Sequence, residues 1–287
     1  MIDRRTALRM LLGTAAAAVL WPLSKTAARM EAHMSKMPVI FLAHGSPMLL
    51  DSQRWIDELK HWADAMPYPR AVLMVSAHWD QRPVALGATT TVPLVYDFYG
   101  FPDRYYQVTY PAPGAPELAR RVRELLRGAK TDFVDEPARG LDHGAYVPMK
   151  CMYPNADVPV LQVSLPGLDR KTVYALGKAL APLREEGVLV IGSGFLTHNL
   201  RAISDTTPAW ASEFDQWIAE VLMRDDLDAL LDYRSRAPGV DYALPTHEHF
   251  VPVILARGAV SDARVAPTFP ITGFVGGSLT RRSVQFG

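Results

Sequence analysis

Residues 71–80 read Ala-Val-Leu-Met-Val-Ser-Ala-His-Trp-Asp, and this stretch decides the fold. Seven small or apolar residues run without the polar alternation of a half-exposed strand, then stop at a histidine. An unbroken apolar run of that length reads as a strand buried on both faces. The same grammar recurs on either side. Pro38-Val39-Ile40-Phe41-Leu42 leads into Ala43-His44-Gly45-Ser46-Pro47, and Val188-Leu189-Val190-Ile191 leads into Gly192-Ser193-Gly194-Phe195-Leu196-Thr197-His198. Val158 to Ser164 supplies a further strand. Between these runs lie segments with helical spacing: residues 51–65, where Trp55, Ile56, Leu59, Trp62 and Ala63 share a face, then 115–128, 170–185, 208–231 and 248–257. Strands alternating with helices predict an α/β fold, a single layered domain whose central, largely parallel or mixed sheet is covered by helices on both faces. Residues 92–114, rich in Pro, Gly and aromatic residues, read as one long loop of the kind that covers a site.

The chain has 287 residues, 49% of them hydrophobic and 21% charged, which suits a globular domain with a substantial core. Thirty basic residues balance thirty acidic ones, and no Lys/Arg-rich run gives a local pull toward nucleic acid. The single cysteine, Cys151, excludes an internal disulfide and any cysteine-built metal site. Its apolar neighbours Met149 and Met152 read as core packing.

Residues 1–36 are a different kind of sequence. Arg4, Arg5 and Arg9 precede fifteen uncharged residues, Met10 to Ser24, and then the small residues Thr26-Ala27-Ala28. Paired arginines, a short apolar region and a small-residue cleavage site make up a secretory leader of twin-arginine type. Fifteen residues fall short of the ~20 that a membrane span needs. The leader has a net charge of +4, leaving −4 on residues 37–287, which read as one domain. The reading implies a periplasmic protein; a start at Met34 or Met37 implies a cytoplasmic one.

Histidines sit where strands end. His44, His78 and His198 each arrive at or just beyond the end of an apolar strand, which in open α/β sheets is where the ligand crevice forms. Three imidazoles reaching that edge independently form the pattern of a metal site, although HExxH spacing is absent. His247-Glu248-His249 adds candidates before a helix. Adjacent side chains diverge, so either Glu248 or His249 is the better ligand there. His143, in Gly140-Leu141-Asp142-His143-Gly144, is placed to meet a substrate or to cap a helix. His61 belongs to an amphipathic helix surface and His33 to the leader. The aromatics of 96–110 form either a wall for an aromatic substrate or the packing of their own loop. There is no GxSxG elbow, Walker loop or dinucleotide fingerprint.

Five ordered motifs, AHGSPM at 43–48, SAHWD at 76–80, GLDHGAYVPM at 140–149, GSGFLTHNL at 192–200 and EHF at 248–250, resemble the extradiol ring-cleavage dioxygenases of the LigB superfamily. Within it the 4,5-DOPA dioxygenase branch is the nearer match, over about residues 38–287. The resemblance implies an α/β domain with one divalent metal, Fe(II) for oxygen chemistry or Zn(II) as bound. It implies His44, His78 and His249 as ligands. His198 becomes a fourth ligand at rest and an acid/base in turnover, with His143 as a catalytic substrate contact. The substrates implied are a small aromatic diol such as L-DOPA and O2. The chain departs from the HPxxEH pattern common in the family, since Leu244 stands in place of a polar residue and His247 is extra. The same histidines also suit a zinc hydrolase, or a non-catalytic binding protein on the same fold.

Overall fold

A computed structural model describes residues 36–260 and 266–287 of the chain. The leader, apart from Lys36, lies outside the described residues. Among the described residues ten strands form in chain order: β1 Val39–Ala43, β2 Ala71–Asp80, β3 Val84–Leu86, β4 Phe133–Asp135, β5 Val160–Leu165, β6 Val188–Gly194, β7 Thr268–Ile271, β8 Phe274–Val275, β9 Leu279–Thr280 and β10 Ser283–Phe286. Eight of them make one sheet in the order β4-β3-β5-β2-β6-β1-β10-β7, and β8 pairs with β9. The middle of the sheet, β5-β2-β6-β1, is parallel, while β3 on β5, β10 on β1 and β7 on β10 are antiparallel. The sheet is therefore mixed but largely parallel, as the apolar runs predict.

Helices α1 Gln53–Ala65, α2 Pro116–Gly128, α3 His143–Met152, α4 Arg170–Leu180, α5 Ala209–Met223 and α6 Val251–Gly258 cover both faces. The two-residue period of β1 divides the core. Ile40 and Leu42 pack with Trp55 and Leu59 of α1 and Met149 of α3, while Val39 and Phe41 pack with Val173 of α4 and Ile254 of α6. Each face hides its strands from water, which is why these segments need no polar alternation. No described helix is long and apolar enough to cross a membrane.

Several elements differ from the sequence reading. The helix expected over 208–231 breaks after Met223, where Asp225 takes a left-handed φ of 55° and Asp226 caps a new turn by accepting from the Ala229 N–H at 2.9 Å. The helix over 170–185 stays α only to Leu180 and continues as a 3-10 turn, Ala181–Glu186, with a proline near its start. The last helix begins at Val251 rather than 248. Strand β2 runs on through His78 to Asp80, so His78 belongs to the strand itself.

The sheet sets the site. β2, β6 and β1 lie side by side and point the same way, with Ala43 opposite Gly194 and Ser76 opposite Ser193. His44, His78 and the 195–198 turn therefore leave one edge together. Gly194 brings a further residue to that edge. A Cβ on it would stand 2.0 Å from the His249 carbonyl oxygen, the same oxygen that accepts from the Phe195 N–H at 2.9 Å. Only a bare backbone admits that approach. Gly194→Ala is expected to destabilise the chain by about 2 kcal/mol or more, in the range of overpacked core substitutions. Denaturant unfolding measures it, and an unchanged midpoint contradicts the close-approach argument.

Candidate metal centre

The site is built from strand ends. His44 follows β1, His78 lies near the end of β2, and His249 precedes α6 and hangs on β6 through its backbone. His143 opens α3, whose N-cap Asp142 accepts from the Ala145 N–H at 3.2 Å. Gly144 lets that helix end settle on β2, because a Cβ there would meet Ser76 Oγ at 2.4 Å and His78 Cδ2 at 3.0 Å.

These backbones bring the ring nitrogens together. His78 Nε2 lies 3.1 Å from His44 Nε2 and 3.2 Å from His249 Nε2. The ligand atoms of His44, His78 and His143 lie within 4.8 Å of one another, as do those of His198, Glu248 and His249. The His78–His249 contact joins the two sets. His44, His143 and His249 are buried.

The partners on the other side of each ring decide which nitrogen faces inward. Ser193 Oγ donates to the Gly144 carbonyl at 2.5 Å, so its lone pair accepts from His44 Nδ1 at 2.9 Å. Glu248 Oε1 lies 3.0 Å from His249 Nδ1 and also accepts from Thr246 Oγ1 at 2.8 Å. Asp97 Oδ1 lies 2.7 Å from His143 Nδ1, and Asp97 Oδ2 lies 3.2 Å from His78 Nδ1. Carboxylates only accept, so the Nδ1 atoms of His143 and His249 bear a proton, while Asp97 Oδ2 stands at ion-pair distance from His78 Nδ1. Such outer hydrogen bonds are the usual means of fixing a metal-ligating histidine.

The electrostatics agree. Burial, then the imidazoles of His78, His249, His143 and His198, holds His44 well below the ordinary histidine value. Burial, then His143 and His249, does the same to His78 against an opposing pull from Asp97. Burial also lowers His249, with Glu248 opposing. The rings are neutral at pH 7, the state in which imidazole binds a metal. Burial is the largest single influence on Glu248 and works against its ionisation, yet the hydrogen bond and charge of His249, the Glu248 backbone N–H and the Thr246 hydroxyl together outweigh it and bring the carboxyl to about 2.

The nitrogen spacing tests the fit to one ion. Two nitrogens each about 2.0–2.1 Å from a cation lie about 2.9 Å apart at a right angle and about 3.4 Å apart at a tetrahedral one. The spacings of 3.1 and 3.2 Å fall between these limits. The Nε2 atom of His78 thus stands at a distance that suits a shared cation from the Nε2 atoms of both His44 and His249. Glu248 sits on the Nδ1 side of His249, behind the ring.

The structure places the other sequence candidates as follows. His198 stacks on His249 with centroids 3.5 Å apart and planes at 13°, and burial, then His249, lowers it to about 3. Two parallel rings cannot both aim in-plane lone pairs at the same point, so in this arrangement His198 lies beside the convergent set. His143 meets His78 at 4.0 Å between centroids. His247 packs on Tyr233, away from the cluster, and His61 is exposed. Cys151 is buried, and burial pushes its thiol up to about 12. The aromatics of the 92–114 loop mostly pack on one another, Tyr96 with Phe98 and Tyr106 and Phe101 with Tyr105. Only Phe98 among them is in ring contact with a site histidine, edge-on to His143 at 5.6 Å.

Sequence reasoning passed over Asp97, Ser193 and Phe195. Ser193 and Phe195 lie inside a motif already singled out, so their position was a signal. Phe195 stands against both His44 and His198. Nothing local distinguishes Asp97 from other loop acids, because its partners lie 19 and 46 residues away.

Known proteins resemble the chain over most of its length. The family described as "Catalytic LigB subunit of aromatic ring-opening dioxygenase" matches residues 32–274. A Beta vulgaris protein named 4,5-DOPA dioxygenase extradiol is 42% identical over 231 residues, 77% of this chain and 86% of that protein. An Escherichia coli K12 protein of the same name is 36% identical over 262 residues, 88% of this chain and 96% of its own. A crystal structure of an uncharacterized Escherichia coli K12 protein superposes with a TM-score of 0.74 at 33% identity, covering 88% of this chain and all of that one.

The lowered histidines make stability depend on pH. Below about pH 6.5 the unfolded chain takes up protons on these rings while the folded chain still resists them, so stability falls with pH from that value downward. The Tm of the metal-free chain is expected to drop between about pH 7.5 and about pH 5.5. A flat Tm over that window contradicts the neutral cluster.

Proposed function

The chain belongs to the LigB family of aromatic ring-opening dioxygenases and is an enzyme of the extradiol kind; on that premise we propose that it opens a catechol such as L-DOPA next to its diol, inserting both atoms of O2. The observation that carries the reading is the approach of the His44 and His249 Nε2 atoms to that of His78 at one strand edge, with Ser193, Glu248 and Asp97 behind the three rings. We assign His44, His78 and His249 as the residues that hold the single divalent metal, Fe(II) for turnover, with Zn(II) suited to the same imidazoles. When bound, that cation supplies positive charge for the deprotonating diol and the redox chemistry that O2 requires.

The chain's own residues do the rest. Three neutral imidazoles add no negative charge of their own, so the site favours a diol that binds as an anion. His143, with its proton held on Nδ1 toward Asp97, offers the Nε2 lone pair to a substrate hydroxyl. His198 stands neutral beside His249 as the candidate proton carrier, and its lowered proton affinity suits it to hand a proton on rather than to hold one. Phe195 and Phe98 keep water from the edges of His44 and His143. The paired-arginine leader supports export of the folded chain to the periplasm; a start at Met34 or Met37 keeps it in the cytoplasm.

Oxygen uptake tests the reading. The chain lacking residues 1–36, loaded anaerobically with Fe(II), is expected to consume one O2 per catechol and yield a yellow product. No uptake by protein shown to hold iron contradicts it. His198→Gln is expected to lower kcat by about 10²–10⁴ with catechol binding retained. An unchanged kcat removes the proton-moving role.

A further inference from the structure

Among the described residues, Asp97 is the one carboxylate within ion-pair distance of two clustered histidines. Its place is set by a short zipper between loop and helix start. Val95 bridges Asp142, the Val95 N–H donates to the Leu141 carbonyl at 2.9 Å, and Gly140 has no Cβ to collide with the Pro93 carbonyl, which would lie 1.9 Å away. Two residues beyond Val95, Asp97 Oδ1 accepts from His143 Nδ1 at 2.7 Å and from the His143 backbone N–H at 3.2 Å. Its other oxygen stands 3.2 Å from His78 Nδ1.

We propose that Asp97 is a positioning residue that sets the tautomer and ring orientation of His78 and His143 together, so that one carboxylate assembles both the metal site and the substrate-facing histidine. The inference rests on the reading of His78 as a ligand and His143 as a substrate contact. A carboxylate has two acceptor oxygens and no donor; here one oxygen accepts from His143 Nδ1 and the other stands at ion-pair distance from His78 Nδ1, placed to accept from it. Both Nε2 lone pairs are thereby left for other work. His78 directs its lone pair into the nitrogen cluster, and His143 directs its own toward substrate.

An asparagine has the same shape but only one acceptor. It satisfies one ring and turns an N–H toward the other. That second ring must swing away or move its proton to Nε2, which costs a metal ligand or a substrate acceptor. Alanine removes the acceptors without adding a donor. For a side chain that only packs, asparagine is the milder change. For one that positions through two acceptors, asparagine is at least as harmful as alanine.

The experiment measures Co(II) affinity of the full chain by chelator competition for the parent, Asp97→Asn, Asp97→Ala and His143→Ala, with thermal unfolding as the check on folding. Asp97→Asn is expected to weaken Co(II) binding by about 10–100-fold, no less than Asp97→Ala. The same factor is expected when Asp97→Asn is placed in the His143→Ala background, because the backbone N–H of residue 143, which donates to Oδ1 at 3.2 Å, still holds the one acceptor away from His78. At saturating Fe(II) the catechol arm behaves in the opposite way: kcat/KM falls in Asp97→Asn and in His143→Ala, and the double variant is no worse than His143→Ala. Co(II) affinity in Asp97→Asn within twofold of the parent, or an asparagine clearly milder than the alanine, overturns the proposal. So does a double variant whose kcat/KM losses multiply. The Co(II) arm needs no turnover, so it reads the role of Asp97 even where the chain fails to open catechols.

Discussion

Everything at the strand edge depends on which nitrogen of each histidine bears its proton. Ser193 and Glu248 hold the protons of His44 and His249 on Nδ1, Asp97 stands at ion-pair distance from His78 Nδ1, and the Nε2 atoms of His44 and His249 both lie close to that of His78. Without those partners, buried neutral imidazoles would pair with one another at Nε2 and cancel as ligands. The partners come from different elements. Ser193 lies in β6 and is itself fixed by a bond to the start of α3, Glu248 lies just before α6, and Asp97 lies in the 92–114 loop. The site is therefore a property of the assembled domain and not of any single segment.

This arrangement has an energetic side. Burying polar rings without partners costs free energy, and burying them charged costs far more. Hydrogen bonds at Nδ1 offset part of the cost, and the low proton affinity of the rings keeps them neutral. The remaining unmet lone pairs are what a cation relieves, so folding and metal binding are linked. The close backbone approaches at Gly144 and Gly194 serve the same end, since each draws a histidine-bearing backbone closer to the sheet than a side chain permits.

Much of this was legible in the sequence. The apolar runs before His44, His78 and His198 announce buried parallel strands, and their shared ending in histidine announces the edge where a site forms. The short antiparallel strands β7 and β10 and the break at Asp225 were not legible: the strands have only four residues each, and the break turns on one left-handed residue that carries no glycine signal. The relation of His198 to His249 was beyond sequence as well. Both were placed near the metal, but only coordinates show two stacked rings. Asp97 illustrates the general limit, because its meaning lies in a loop-to-helix zipper that no local pattern encodes.

The most direct test is X-ray absorption on the purified chain loaded with one equivalent of Fe(II) or Zn(II), alongside His44→Ala, His78→Ala and His249→Ala. The account predicts one cation per chain with scattering from three imidazole nitrogens at about 2.0–2.1 Å, and loss of the bound cation in each variant. A first shell with carboxylate oxygen in place of one imidazole, or a cation retained by all three variants, contradicts it.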